Sequence, residues 1–168
     1  MKGQLNYKEI TMSRILMITL VTFLLLTNCS DAPFFHEFYT IPSEEWKITN
    51  IPEFQINVAE KQRTYRLILQ VRNTTDYAYS NIFFFLNIAY PGREQRRDTI
   101  ECMLADRYGN WLGKGIGRIK ESSFLIKQSL VLPDTGTYVI ALEQAMRDET
   151  LKGITDIGIR IEYAKTTP

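Results

Sequence analysis

Residues 82–90 read Ile82-Phe83-Phe84-Phe85-Leu86-Asn87-Ile88-Ala89-Tyr90, and this run decides the fold. It is apolar on both faces for most of its length and too short for a long buried helix. It therefore predicts a central β-strand covered on both sides. Pro91-Gly92 opens a turn after it, and Arg93 to Asp98 reads as a charged loop. From Thr99 to Ala105 the pattern alternates, with Ile100, Cys102 and Leu104 on one face. Asp106 to Asn110 turns the chain, Trp111 follows, and Gly113, Gly115 and Gly117 read as alternate positions of a strand. Phe124 to Leu132 is a further strand, Pro133 to Gly136 a turn, and Tyr138, Ile140 and Leu142 begin the next strand. Gln144 to Lys152 lacks alternation and reads as a short helix or helical loop ended by Gly153. Ile157, Ile159, Ile161 and Tyr163 mark the last strand.

Working back from residue 82, Asn73-Thr74-Thr75-Asp76 is a polar turn. Tyr65, Leu67, Leu69 and Val71 alternate with polar residues, as do Phe54, Ile56 and Val58. Ser43 to Trp46 reads as a single turn with Trp46 plugging one end of the core, and Phe34 to Tyr39 as a first edge strand. The connections are too short for parallel crossovers. The expectation is an all-β, antiparallel β-sandwich of about seven or eight strands, immunoglobulin-like or related. Asp134-Thr135-Gly136-Thr137-Tyr138 resembles a tyrosine corner, although Ile140 stands where an immunoglobulin domain has its second cysteine.

Ahead of this domain lies an export signal. Ile15 to Leu26 is apolar apart from Thr19 and Thr22, and Lys2, Lys8 and Arg14 precede it. The run is shorter than the roughly 20 residues that span a bilayer. It ends in Leu26-Thr27-Asn28-Cys29, which resembles a bacterial lipobox whose cysteine is acylated. The expected organisation is a cleaved lipoprotein signal peptide at 1–28, a lipidated Cys29 with a short spacer to 33, and the sandwich domain at 34–168. Removing residues 1–28 takes three of the 20 basic and one of the 19 acidic residues, leaving 17 against 18. That balance does not suggest a nucleic-acid binder. Of two cysteines, Cys29 is the lipid acceptor, so Cys102 has no partner for a disulfide and stability rests on packing. Cys102 shares a face with Ile100 and Leu104 and reads as a buried, inert thiol.

No reaction is visible in the residues. His36 is the only histidine, and no HExxH or CxxC spacing exists, so neither a metal centre nor a cofactor is expected. Gly113-Lys114-Gly115-Ile116-Gly117 misses the spacing of both phosphate-loop patterns. Asp98, Glu101 and Asp106 lie near one strand, where charged residues are ordinarily its solvated ends.

Three blocks carry a family likeness. They are Arg72 to Thr74 with Asp76 to Asn81; Asp98 to Cys102 with Leu104 to Asp106 and Gly109 to Gly115; and Gln144 to Arg147 with Leu151 to Ile154 and Asp156 to Glu162. Together they resemble the gliding-motility lipoprotein GldH family of the Bacteroidota. The resemblance implies a non-enzymatic lipoprotein of the cell envelope, held by lipid on Cys29 and placed at the periplasmic face of the outer membrane. It implies partners among the gliding-motility and type IX secretion proteins, and no small-molecule substrate. The expected contact surface is the Arg107 to Gly117 stretch, with Tyr108, Trp111 and Lys114, joined by Met146 and Arg147. In the competing reading Trp111 and Met146 fill the core. A polysaccharide-binding module is the alternative function. A hydrolase, which would need Glu101 to meet another carboxylate in a cleft, is a third.

Overall fold

A computed structural model of the chain describes residues 32–164. Cys29 and the signal at 1–28 lie outside the described residues. Ten strands follow one another: β1 (Phe35–Thr40), β2 (Glu45–Lys47), β3 (Glu53–Val58), β4 (Arg63–Thr74), β5 (Asn81–Ala89), β6 (Arg96–Met103), β7 (Ile119–Leu132), β8 (Gly136–Gln144), β9 (Thr150–Lys152) and β10 (Ile154–Tyr163). A 3-10 turn, Pro42–Glu44, joins β1 to β2. All pairings are antiparallel. One four-stranded sheet runs β1-β10-β4-β7, a second runs β3-β8-β5-β6, and β2 pairs with β9 in a small ribbon. The antiparallel sandwich expected from the sequence is present. The strands beyond the expected seven or eight include three-residue β2 and β9, too short to leave an alternation.

The core forms because each sheet turns one apolar row inward. Phe54, Ile56 and Val58 supply the row of β3; Leu67, Leu69 and Val71 that of β4; Ile157, Ile159 and Ile161 that of β10. Each fully buried aliphatic or aromatic side chain stabilises the fold by about 1.5–3 kcal/mol. The Tyr138 hydroxyl donates to the Asp134 carbonyl (2.9 Å) and accepts from the Asp134 N–H (3.1 Å), so the tyrosine corner is realised. Trp46 is fully buried, packs 5.7 Å from the ring of Phe84, and donates its indole N–H to the Asn50 carbonyl at 2.7 Å.

Several expectations are corrected. β5 is central, but it is not covered on both sides by layers of structure. Ile82, Phe84, Leu86 and Ile88 are buried; Phe83 and Phe85 are half-buried on the outer face. Neighbouring side chains shelter them instead: the Arg97 guanidinium sits 4.0 Å from the Phe85 ring centre, and Glu143 accepts hydrogen bonds from Arg97 and Asn87. Long charged side chains cover apolar rings with their stems. Asn73 and Thr74 belong to β4 and are buried, so the turn starts at Thr75. β6 begins at Arg96 within the expected charged loop, and β7 begins at Ile119.

No helix forms over Gln144–Lys152. Gln144 closes a bend instead, accepting the Met146 N–H at 2.9 Å and donating to the Asp148 carbonyl at 2.8 Å. Leu151 is then buried opposite Trp46. Side-chain bonds to the backbone compete here with helical ones, and the tertiary pairing of β9 decides the outcome.

Candidate functional site

β6 and β7 are the edge strands of the two different sheets, and the connection between them, residues 104–118, is the longest loop in the sandwich. It is an ordered structure. The N–H groups of Leu104 and Ala105 both donate to the Ser80 carbonyl, at 2.7 and 2.9 Å, and Ala105 bridges Trp111. Asp106 organises the tip. Its Oδ1 accepts the N–H of Tyr108 (2.8 Å) and of Asn110 (2.9 Å), and its Oδ2 accepts the Asn110 amide (2.9 Å). The Asn110 side-chain bond, followed by its backbone bond, holds this carboxyl below the usual carboxylate range.

Beyond Trp111 the chain returns to β7. Lys114 and Glu121 exchange both backbone hydrogen bonds, at 2.8 and 2.7 Å. Gly113 permits that approach, because a Cβ there would lie 2.7 Å from Ser122 Oγ and 2.9 Å from the Glu121 carbonyl oxygen. The Gly113–Gly117 run is thus a loop laid against β7 and not a strand of its own. Gly113 and Gly115 answer to the close approach of the β7 backbone, and Gly117 to its positive φ of 76°. Arg118, which ends the loop, pairs with Glu44 at 2.5 Å and Asp76 at 3.2 Å.

Two features stand out on this loop. Tyr108 is 73% exposed, Leu112 57%, and the Ile116 side chain stands fully in solvent. Beside them a groove of about 590 Å³ opens between the ends of β6 and β7, lined by Met103, Leu112, Lys114, Glu121, Ser122 and Phe124. Ser122 is 7% exposed, and its hydroxyl has no hydrogen-bond partner among the described residues.

Tyr108, Trp111 and Lys114 lie on this loop, and Met146 and Arg147 lie on the bend after β8. Tyr108, Lys114 and Arg147 are exposed; Trp111 and Met146 are half-buried and pack against the core. Met146 also accepts the Phe83 N–H through its sulfur at 3.3 Å. Met103, Leu112, Ser122 and Phe124 were not singled out from the sequence. Taking the glycine run for a strand and starting β7 at Phe124 hid their convergence.

The carboxylates weighed for catalysis are dispersed. Asp98 pairs with Lys127 at 2.6 Å, Glu101 accepts from Asn81 at 2.6 Å, and Asp106 serves its own loop. His36 lies exposed on β1, its Nε2 2.7 Å from Gln70 Oε1. Among the described residues no group of three or more His, Cys, Asp or Glu is arranged to hold a metal ion. Cys102 is 1% exposed, and burial, with the Glu101 charge second, pushes its thiol up to about 12. A disulfide reagent at pH 9, where a free thiol is largely ionised, will therefore label native Cys102 at least a hundredfold more slowly than the denatured chain. Rapid native labelling would contradict the burial.

A family model described as GldH lipoprotein matches residues 33–161. The chain is 32% identical over 152 residues to the gliding motility lipoprotein GldH homolog of Christiangramia forsetii, covering 86% of this chain and 93% of that protein. It is 30% identical over 152 residues to the gliding motility lipoprotein GldH of Flavobacterium johnsoniae, with 86% and 94% covered.

Proposed function

The chain belongs to the GldH lipoprotein family, and from that premise we propose that it serves gliding motility as a non-enzymatic protein-binding module, anchored through lipid on Cys29 at the periplasmic face of the outer membrane. Family membership makes it a lipoprotein of the cell envelope. The names of its relatives support the gliding apparatus as the partner class; extending it to the type IX secretion proteins is part of the proposal.

The observation that carries the binding role is the loop at residues 104–118, which holds Tyr108, Leu112 and Ile116 out into solvent beside a groove whose buried Ser122 hydroxyl has no partner among the described residues. Exposing large apolar side chains costs solubility, and contiguous exposure marks contact surfaces. Tyrosine and arginine are enriched in energetic hot spots, and Tyr108 and Arg107 stand exposed side by side at the tip of this loop. Acylation suits the role. Each buried methylene of an acyl chain contributes about 0.8 kcal/mol, so several chains anchor the protein durably. The tethered domain then searches a thin layer beside the membrane at raised effective concentration.

The test compares three forms in the native host: the unaltered chain, Cys29→Ala, and the double variant Tyr108→Ala with Ile116→Ser. The unaltered chain enters the detergent phase, and in cross-linked cells it brings down envelope proteins. Cys29→Ala leaves the detergent phase. The double variant stays membrane-bound, melts within about 2 °C of the unaltered chain because both side chains are exposed, and loses its partners and gliding. Partner recovery unchanged in the double variant would refute the assigned surface. A second reading is favoured by the Tyr108 ring, 73% exposed with the Arg107 guanidinium 4.6 Å from its centre, an exposed aromatic on which a sugar can stack. Calorimetric titration with envelope glycans decides it, and a flat response removes it.

A further inference from the structure

β7 ends its sheet, and the loop covers only the beginning of its outer edge. In an antiparallel ladder a residue sends its N–H and C=O to the same side, and that side alternates along the strand. Glu121 directs both toward Lys114, away from β4. Ser123 and Leu125 direct theirs the same way, and among the described residues no strand lies there to meet them. The register with β4 is regular through this stretch, Glu121 facing Arg72, Ser123 facing Gln70 and Leu125 facing Ile68; the irregularity in the ladder begins only after Leu125. The row of free main-chain groups continues in line from the Lys114 bridge and passes the groove lined by Met103, Leu112 and Phe124.

From this we infer that a partner protein adds a β-strand to the free edge of β7, antiparallel to it, below Lys114. This rests on the reading of the chain as a protein-binding lipoprotein and says how the binding is made. Only an extended polypeptide matches donors and acceptors spaced two residues apart, and strand addition is an established mode of peptide capture. The register requires an apolar side chain of that segment to enter the groove, where Ser122 Oγ supplies a hydrogen bond to its backbone or side chain. Lys114 makes no ion pair among the described residues. The segment therefore carries an acidic residue next to its apolar anchor.

The edge geometry supplies a sharp variant. Leu125→Pro removes one of the N–H groups that point to the free edge, takes no donor from the β4 ladder, and sits where proline is tolerated in sheets. Leu125→Ala keeps that N–H and serves as its control; Ser123→Pro makes the same change one step along should Leu125→Pro fail to fold.

A photo-reactive benzoylphenylalanine is placed at Leu112, or at exposed Gln55 on the far sheet, in the full chain in its host. Irradiation is expected to give an adduct from position 112 and none from 55, and digestion identifies the attached segment. A synthetic peptide of that segment will protect the amides of Ser123 and Leu125 from hydrogen exchange. It will bind Leu125→Ala within threefold of the unaltered protein and Leu125→Pro at least tenfold more weakly. Equal binding of the peptide to folded Leu125→Pro would overturn strand addition while leaving the protein-binding role intact. An adduct from 112 to a second copy of this chain would also overturn it, in favour of self-association. Absence of adducts at every position, together with no envelope protein recovered by the unaltered chain in cross-linked cells, would remove the binding role itself.

Discussion

Trp46→Ala lowers the melting temperature by about 10–20 °C. Trp46 is the largest fully buried side chain, lying between the β2–β9 ribbon and the inner face of β5. Truncating a buried tryptophan to alanine costs about 3–5 kcal/mol, because the lost transfer free energy is joined by a cavity that the surroundings cannot fill. The Asn50 carbonyl also loses the indole N–H that it accepts at 2.7 Å. At this size roughly 3–5 °C of melting temperature corresponds to 1 kcal/mol. Trp46→Phe keeps a ring but not the donor and should fall between the two. Calorimetry of the three proteins checks the order, and a loss under about 5 °C for the alanine variant would mean that the ribbon is not part of the cooperative core.

Gly153→Val is expected to cost about 3–5 kcal/mol, read as a lower denaturant midpoint at unchanged slope. Gly153 has φ +90°, where a β-branched side chain is strained by about 1–3 kcal/mol. The added Cβ would also lie 2.9 Å from Thr74 Oγ1 and 3.1 Å from the backbone of Tyr77. Those neighbours cannot yield cheaply. The Gly153 N–H donates to the Glu44 carbonyl and its own carbonyl accepts the Thr74 N–H, both at 2.8 Å, so three segments meet at this residue. Gly92, at φ +63° with nothing within 4 Å of a Cβ, is the control. Gly92→Val, strained but uncrowded, should lose only the strain of about 1–3 kcal/mol. Similar losses at both glycines would show that strain alone, and not crowding, governs Gly153.

What the sequence revealed followed from regular repetition. Phe54, Ile56 and Val58 alternate cleanly and form β3, and the Asp134–Tyr138 corner is a local motif with local bonds. Phe83 and Phe85 misled because the sequence cannot show that Arg97 folds over one of them. Gln144 to Lys152 lacks alternation for a reason invisible in the chain: its bend is held by one glutamine, and its strand by Trp46, about a hundred residues away. The groove was partly legible. Tyr108, Trp111 and Lys114 come from a single stretch and could be grouped. Met103, Ser122 and Phe124 join them only because β6 and β7, strands of different sheets, end beside each other.

The order β1-β10-β4-β7 has a mechanical consequence. Given the lipid anchor and the strand addition proposed above, the strand nearest the anchor is one margin of a sheet, and the margin offered to a partner is the other. Any tension between membrane and partner must cross this one sheet, over a span of about 14 Å at the usual strand spacing. It would be carried by the β1–β10, β10–β4 and β4–β7 ladders in series, with the opposite sheet acting only as a stiffening backing. In a motile cell envelope, the weakest of those three seams would set the force at which the linkage yields.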